Sequence, residues 1–339
     1  MTGPAVCAVV VAYLDEPWLE RCVESLLASA AVQVEVVLVD NGDTSGGVDR
    51  LAGRDRVRVV RPGRNLGFAG GCNAGAAAGG GDVLALVNPD AVVEPDALAR
   101  LAAAVEDRQV GIATASIRLA ADPSRMNSVG NPLHYLGLVW AGGFGEPAAD
   151  HGEVRDVATA SGAGCALRRE LWDRLGGFDP AYFAYHEDTE ISLRCWQQGL
   201  RVVYVPDAVV VHRYEFSRNK RKNYLLERNR WLTVLTLYSR RSLLLLLPPL
   251  LALEVCMLAA ATAEGWLPEK VAGYRWLVGH AAQIRRRRSL TQAQRRCSDR
   301  ELAGLFATRF EPANLPTPRG LGFLNFVLER YWKLVRGHL

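Results

Sequence analysis

The stretch Val83-Leu84-Ala85-Leu86-Val87-Asn88-Pro89-Asp90 decides how this chain is read. Five apolar residues bounded by turn formers mark a short strand buried on both faces. A loop and a new helix start follow, with Pro95 suited to the first turn of a helix running to about Asp107. An acid at the carboxyl end of a buried strand points into the crevice where α/β sheets hold their ligands. Packing asks for no carboxylate there, whereas a divalent metal clamped on a diphosphate does.

Outward from that strand, the first half alternates between two periods. Val6 to Ala12, Val34 to Val39, Val57 to Val60 and Val110 to Ile117 read as strands. Leu19, Cys22, Val23, Leu26 and Leu27 recur at helical spacing, and Ala69 to Ala78 is a helix of small residues. Such alternation implies an α/β fold, a mostly parallel central sheet flanked by helices. Asp122 to Glu153 is rich in Gly, Pro and Asn without a clean period, and is expected to be an irregular insertion. Ala163 to Arg168 is the next strand. A helix near Glu170 to Leu175 stops at Gly176 and Gly177, and another, Glu187 to Gln198, stops at Gly199. Val202 to Val205 and Ala208 to Val211 read as two strands, and beyond about Ser217 the pattern is helical to the end.

The 339 residues suffice for one large α/β domain plus an appendage. The net charge of +4 is unevenly spread, with basic clusters at Arg218 to Lys222, Arg240 and Arg241, and Arg285 to Arg288. They suit phosphates or an anionic membrane surface. Nucleic acid ranks below these, because the clusters flank a long apolar segment and no nucleic-acid motif is present. Seven cysteines, an odd count without a CxxC pair, argue against a disulfide framework or zinc site and for a reducing cytosol. Met1 to Tyr13 lacks a basic n-region and a cleavage site, so it reads as a first strand and not a signal peptide.

Ser242 to Ala263 is almost continuously apolar, and about 20 such residues span a bilayer. Three features speak against a simple span. Pro248 and Pro249 are expected to break it, Glu254 is costly in lipid unless paired, and basic clusters on both sides would keep both flanks in the cytosol. A helical wedge lying in the inner leaflet satisfies all three; the alternative is a buried helix pair in a soluble domain.

Candidate site residues gather at strand ends and helix starts. Asp90 is the metal candidate, for magnesium or manganese, and His212, closing its strand, is the candidate second donor. Asp40, followed by Asn41, can bond a base or ribose hydroxyl, or can simply cap its turn. Asn65 to Gly75 is a glycine-rich helix start whose amides favour anionic groups, though close helix–sheet packing selects the same residues. Glu187 and Asp188 open a helix behind the aromatic run Tyr182, Phe183, Tyr185. Capping explains one acid, while an aromatic wall beside a carboxylate suits a sugar face and a general base.

Taken in order, these segments resemble the family 2 glycosyltransferases with a GT-A fold, most strongly bacterial rhamnosyl- and galactofuranosyl-transferase-like members. The likeness runs from about Val6 to His212. It rests on Val9 to Asp15, Val37 to Gly42, Asn65 to Gly75, Val87 to Ala91 (similar to a reduced DxD metal motif), and Gly176 to Asp179 followed by Glu187 and Asp188. Leu14 stands where the family has Asn, with Asp15 next, and Cys72 stands where Asn is common. The resemblance implies a catalytic domain over residues 1–216, and the apolar segment with its basic flanks implies a helical, membrane-associated region over 217–339. The resemblance also implies Asp188 as base beside Glu187, a metal on Asp90 and His212, and donor contacts from Tyr13, Asp15, Asp40, Asn41, Asn65, Gly67, Asn73, Asn88 and Asp90. The implied reaction is inverting, metal-dependent transfer from a nucleotide-diphosphate sugar (dTDP-rhamnose or UDP-sugar type) to a hydroxyl of a saccharide or polyprenyl-linked glycan. It would take place in the cytoplasm, at the inner face of the membrane. The rivals are a polyprenyl-phosphate sugar synthase of the same fold and a non-catalytic sugar-nucleotide-binding scaffold.

Overall fold

Side chains of strand β1 (Ala5–Leu14) alternate between two cores. Val6, Ala8, Val10 and Ala12 pack on one face of the sheet; Cys7, Val9 and Val11 pack on the other. The computed structural model describes residues 3–214, 221–313 and 321–339. Arg218 and Lys220 of the first basic cluster, and the expected boundary at 216/217, lie outside the described residues.

The first face is covered by α1 (Leu19–Leu27) and, across a longer stretch of chain, by α4 (Ala97–Glu106). Between them run β2 (Gln33–Asp43), α2 (Gly47–Leu51), β3 (Val57–Val60), α3 (Gly67–Ala78), β4 (Val83–Val87) and β5 (Ala91–Val93). Helix α3 lies on the second face. Its glycines explain the approach, since a Cβ on Gly75 would sit 2.4 Å from Val9 and one on Gly71 2.7 Å from Val11. The chain continues through β6 (Val110–Leu119), β7 (Asp122–Ser128), β8 (Leu133–His134), β9 (Arg155–Asp156), β10 (Gly164–Arg168), α5 (Arg169–Leu175), α6 (Glu187–Gln197) and β11 (Arg201–His212). The sheet order is β3-β2-β1-β4-β10-β6-β11-β5. β3, β2, β1 and β4 are parallel, as are β6 and β11, and β10 runs antiparallel between β4 and β6. The expected pair of strands around residue 206 is one strand, β11, bulged between Val205 and Val209.

Two further expectations are corrected. The 122–153 segment is not irregular throughout: β7 folds back antiparallel on β6, and β8 pairs with a distant strand, β12 (Phe306–Ala307). Its pattern was hidden because residues 122–125 of β7 are exposed and only its end, from Met126, is buried. Nor do Pro248 and Pro249 break their segment. After α7 (Lys222–Leu237), α8 runs unbroken from Arg240 to Ala263. Proline at 249 removes the partner of the Leu245 carbonyl, and Tyr331 Oη donates to that carbonyl at 2.5 Å instead. Helices α9 (Leu267–Gly279), α10 (Ala281–Ala293) and α11 (Leu321–Val335) complete the chain. A third core joins α7, α8 and α11 to the 133–136 segment, with Tyr135 stacked on Trp332 at 4.6 Å.

Candidate active site

The Asn88-Pro89-Asp90 turn carries the chain from β4 to β5, and β5 pairs antiparallel with the end of β11. The register sets His212 opposite Ala91, directly beside Asp90. Asp90 Oδ1 lies 3.1 Å from His212 Nε2. The other ring nitrogen, Nδ1, lies 2.9 Å from Asn127 Oδ1, an acceptor, so Nδ1 carries the proton and donates. With Nδ1 donating to Asn127, Nε2 is the nitrogen that can offer a lone pair to a cation beside Asp90, and Asn88 Nδ2 lies 3.4 Å from it. A lone pair and a carboxylate oxygen converging on one point fit a divalent cation, which takes its remaining ligands from water and phosphate. Among the described residues no group of three or more His, Cys, Asp and Glu gathers. At this point the fold offers two potential donors, Asp90 and His212.

Asp188 comes from the other side. It opens α6, with Oδ2 accepting from the Gly162 amide at 3.1 Å and Oδ1 from the Thr189 amide at 2.7 Å. Asp188, Glu187, Asn88 and His212 line one cavity of about 440 Å³, together with Trp140 and Tyr214. Burial pushes both acids of the pair above the ordinary carboxylate range. At Asp188 the two backbone amides oppose the rise. At Glu187 the charge of Asp188 adds to burial, and Oε2 has no hydrogen-bond partner. Of the two, Glu187 is pushed up further, while the amides at Asp188 favour its charged form. Glu190, the third acid of this turn, is held by Arg194 at 2.6 Å and Arg287 at 3.0 Å.

The loop ahead of α6 is strained and pinned. Phe183, Tyr185 and His186 all have positive φ, at 65°, 68° and 69°, costing on the order of 1–3 kcal/mol each. Asn229 of α7 donates to the carbonyls of Tyr182, Ala184 and Tyr185 at 2.7–2.9 Å, and Arg228 to those of Ala181 and Tyr182. Gly67 meets the loop from α3. It has φ 72°, and a Cβ there would lie 2.3 Å from the Phe183 carbonyl oxygen. His186 is buried, and burial first, with the Arg230 charge second, lowers its pKa to about 4, so the ring stays neutral.

The remaining expected donor contacts divide. Tyr13, 47% exposed, and Asp15, also exposed, stand at the end of β1, with the Tyr13 ring against Gly42. Asp40 caps its turn through the amides of Gly42 and Asp43 and pairs with Arg61 at 2.9 Å. Asn41 and Asn65 bond each other and the 66–67 backbone. Asn73 grips the backbone of Phe178 in both directions, which fixes the Gly176–Asp179 turn on α3. These three amides bond the fold itself, Asn65 through its oxygen alone, with its side chain exposed. The aromatic wall is also different. Tyr182 is buried against Thr233, and Tyr185 lines the cavity with Phe68, Trp140 and Tyr214. Sequence reasoning missed Asn127, Trp140, Gly162, Arg228 and Asn229. The one visible signal was Glu227-Arg228-Asn229-Arg230, a polar run set between apolar residues of α7.

Residues 4–233 match the sequence profile of the family described as glycosyltransferase like family 2. The chain belongs to this glycosyltransferase family. It is 31% identical over 240 residues to the N-acetylglucosaminyl-diphospho-decaprenol L-rhamnosyltransferase of Mycobacterium tuberculosis, covering 62% of this chain and 77% of that one. Among solved structures, GalNAc-T7 with UDP, GalNAc and Mn2+ superposes with a TM-score of 0.57 at 20% identity, over 70% of this chain and 49% of that one. The mannosyltransferase of Pyrobaculum calidifontis with GDP-Man and Mn2+ gives 0.52 at 18% identity, over 98% and 87%. At such identities the two structures establish the GT-A fold of this glycosyltransferase and nothing finer.

Proposed function

We propose that this glycosyltransferase moves a sugar, with inversion, from a nucleotide-diphosphate donor to a hydroxyl of a saccharide or polyprenyl-linked glycan. The observation that carries the reading is the convergence on one cavity. Asp188 and His212 line the same space from different elements, and Asp90 is joined to His212. Asp90 and His212 would hold a magnesium or manganese ion, which when bound offsets diphosphate charge and stabilises the leaving group.

The chain's own residues do the rest. Asp188 takes the proton of the acceptor hydroxyl as that oxygen forms its bond to the anomeric carbon. The bond from that carbon to the phosphate oxygen breaks on the opposite face, and the nucleoside diphosphate leaves with the electron pair. The transition state has oxocarbenium character. The Gly162 and Thr189 amides orient Asp188, and Glu187, protonated beside it, adds no second negative charge. The mycobacterial relative is named for rhamnose and a decaprenyl-diphosphate-linked acceptor. That supports a rhamnosyl donor of the dTDP-rhamnose type, with UDP-sugars as the other donor class; in this reading residues 1–216 are catalytic and 217–339 hold the enzyme at the inner face of the membrane.

The test is to offer dTDP-rhamnose and UDP-sugars with Mn2+ and a synthetic lipid-diphosphate saccharide, and to read the product's anomeric configuration by NMR. Transfer with inversion is expected. A retained configuration, or metal-independent turnover undiminished by chelator, overturns the reading.

A further inference from the structure

Helix α8 is apolar and long enough to cross a membrane, yet only 17% of its most apolar window is buried. Leu246, Leu250 and Ala261 face the protein. Leu244, Leu247, Leu251 and Val255, at spacing i, i+3, i+7, i+11, share the opposite face and stand 73%, 46%, 55% and 67% exposed. Helix α11 repeats the arrangement. Leu328, Trp332 and Val335 are buried, while Phe323, Phe326, Val327 and Leu334 are exposed. The two helices touch through the bond from Tyr331 Oη to the Leu245 carbonyl. Soluble monomers rarely leave apolar stripes of this extent open to water.

Charge identifies what covers them. Residues 221–339 hold twenty Lys and Arg against eight Asp and Glu, a net of +12, whereas residues 1–220 carry −8. Arg240 and Arg241, both exposed, stand at the amino end of α8, and the Arg330 guanidinium lies 5.2 Å over the Phe326 ring within the α11 stripe. A cationic rim around an apolar stripe suits anionic headgroups above acyl chains. Two such faces meeting each other would repel.

Glu254 decides how α8 lies. Halfway along the helix, its carboxylate is held by Arg230 of α7 at 2.6 Å, by Lys270 of α9 at 2.6 Å and by the Trp231 indole at 2.9 Å. Arg230 and Lys270 are 1% exposed and share a second acid, Glu227. Pulling α8 across a bilayer would strand two buried cations and two acids, and α7 also pins the loop ahead of Asp188.

We propose that the open faces of α8 and α11 form one monotopic docking surface seated in an anionic lipid leaflet, with the Glu254 cluster holding α8 in the plane of the leaflet and not across it. This rests on the membrane reading above and names its surface. The test is flotation of the purified full chain with phosphatidylcholine vesicles, with and without phosphatidylglycerol. A triple variant Leu247→Gln, Leu251→Gln, Phe326→Gln is compared, all three sites being exposed.

Wild type is expected to float with the anionic vesicles and to be released by a carbonate wash. The triple variant should lose at least about tenfold in partition while keeping its thermal midpoint and its transfer to a water-soluble short-chain acceptor. Undiminished flotation of the variant overturns the surface, as does a wild-type dimer that the variant dissolves. Retention through the carbonate wash overturns the in-plane placement. Flotation without transfer to any acceptor would sink the transferase reading and leave this one standing.

Discussion

Asp90 and His212 stand 122 positions apart in the chain and 3.1 Å apart in the fold. Three strand relationships produce that distance: β4 ends at the turn, β5 leaves it, and β5 pairs with the last residues of β11. Asn127 completes the arrangement by holding Nδ1 of His212, which turns Nε2 toward Asp90. Outer partners of this kind tune metal affinity strongly. Asn127→Ala is therefore expected to weaken Mn2+ activation by roughly 10- to 100-fold with donor binding in saturating metal little changed. A titration of initial rate against Mn2+ reads this directly.

Glu187 and Asp188 are neighbours with different tasks. In the proposed scheme Glu187 keeps its proton, so the amide of Glu187→Gln imitates its working state. That variant should keep most of its kcat, within about tenfold, as expected for a group that transfers no proton. A loss as large as that of an Asp188 variant would reverse the two assignments.

Asn229 is a positioning residue, and touches neither donor nor acceptor in this scheme. Asn229→Ala takes its donor from the Ala184 and Tyr185 carbonyls of a strained loop, at a stability cost on the order of 1–3 kcal/mol. The expected kinetic signature is a fall in kcat with KM for the donor little moved, since Asp188 shifts and the metal donors do not. A variant with unchanged kcat at a temperature where it remains folded would dismiss the role.

Acid should destabilise this fold through its buried imidazoles. His186 has its folded pKa lowered from 6.5 to about 4, so the unfolded chain takes up the proton first as pH falls. Stability is lost progressively from pH 6.5 down to about 4, amounting to roughly 3 kcal/mol once complete. His134, lowered to about 4 by burial, acts in the same sense. His186→Asn, which tolerates the left-handed backbone there, should flatten the dependence of the melting midpoint on pH across that window.

Asp90 and Asp188 stand out in the sequence because packing and capping explain them only in part. Asp90 follows five apolar residues, and Asp188 follows one acid and precedes another within two positions. Asn127 was illegible, because β7 has one buried face only at its end and no alternation to read. Asn73 and Asn65 read ambiguously, since an amide beside glycines serves a phosphate and a tight backbone turn equally well, and both bond the backbone here. The continuity of α8 was hidden for another reason. A hydroxyl from residue 331 satisfies the carbonyl that Pro249 frees, and no local window contains both. Helix and strand signals are local; the partners that rescue or restrain them come from far along the chain.

The proton transfer assigned to Asp188 is tested most directly by Asp188→Asn, with donor affinity and single-turnover transfer measured on the same preparation. The side chain keeps its shape and can still bond the Thr189 amide through its oxygen, so donor binding in Mn2+ should stay within a few-fold of wild type. Transfer to a hydroxyl acceptor should fall by roughly 10²- to 10⁴-fold, the range of general-base catalysis. Transfer at the wild-type rate, whether to a hydroxyl or to a phosphate acceptor that needs no base, would contradict the account.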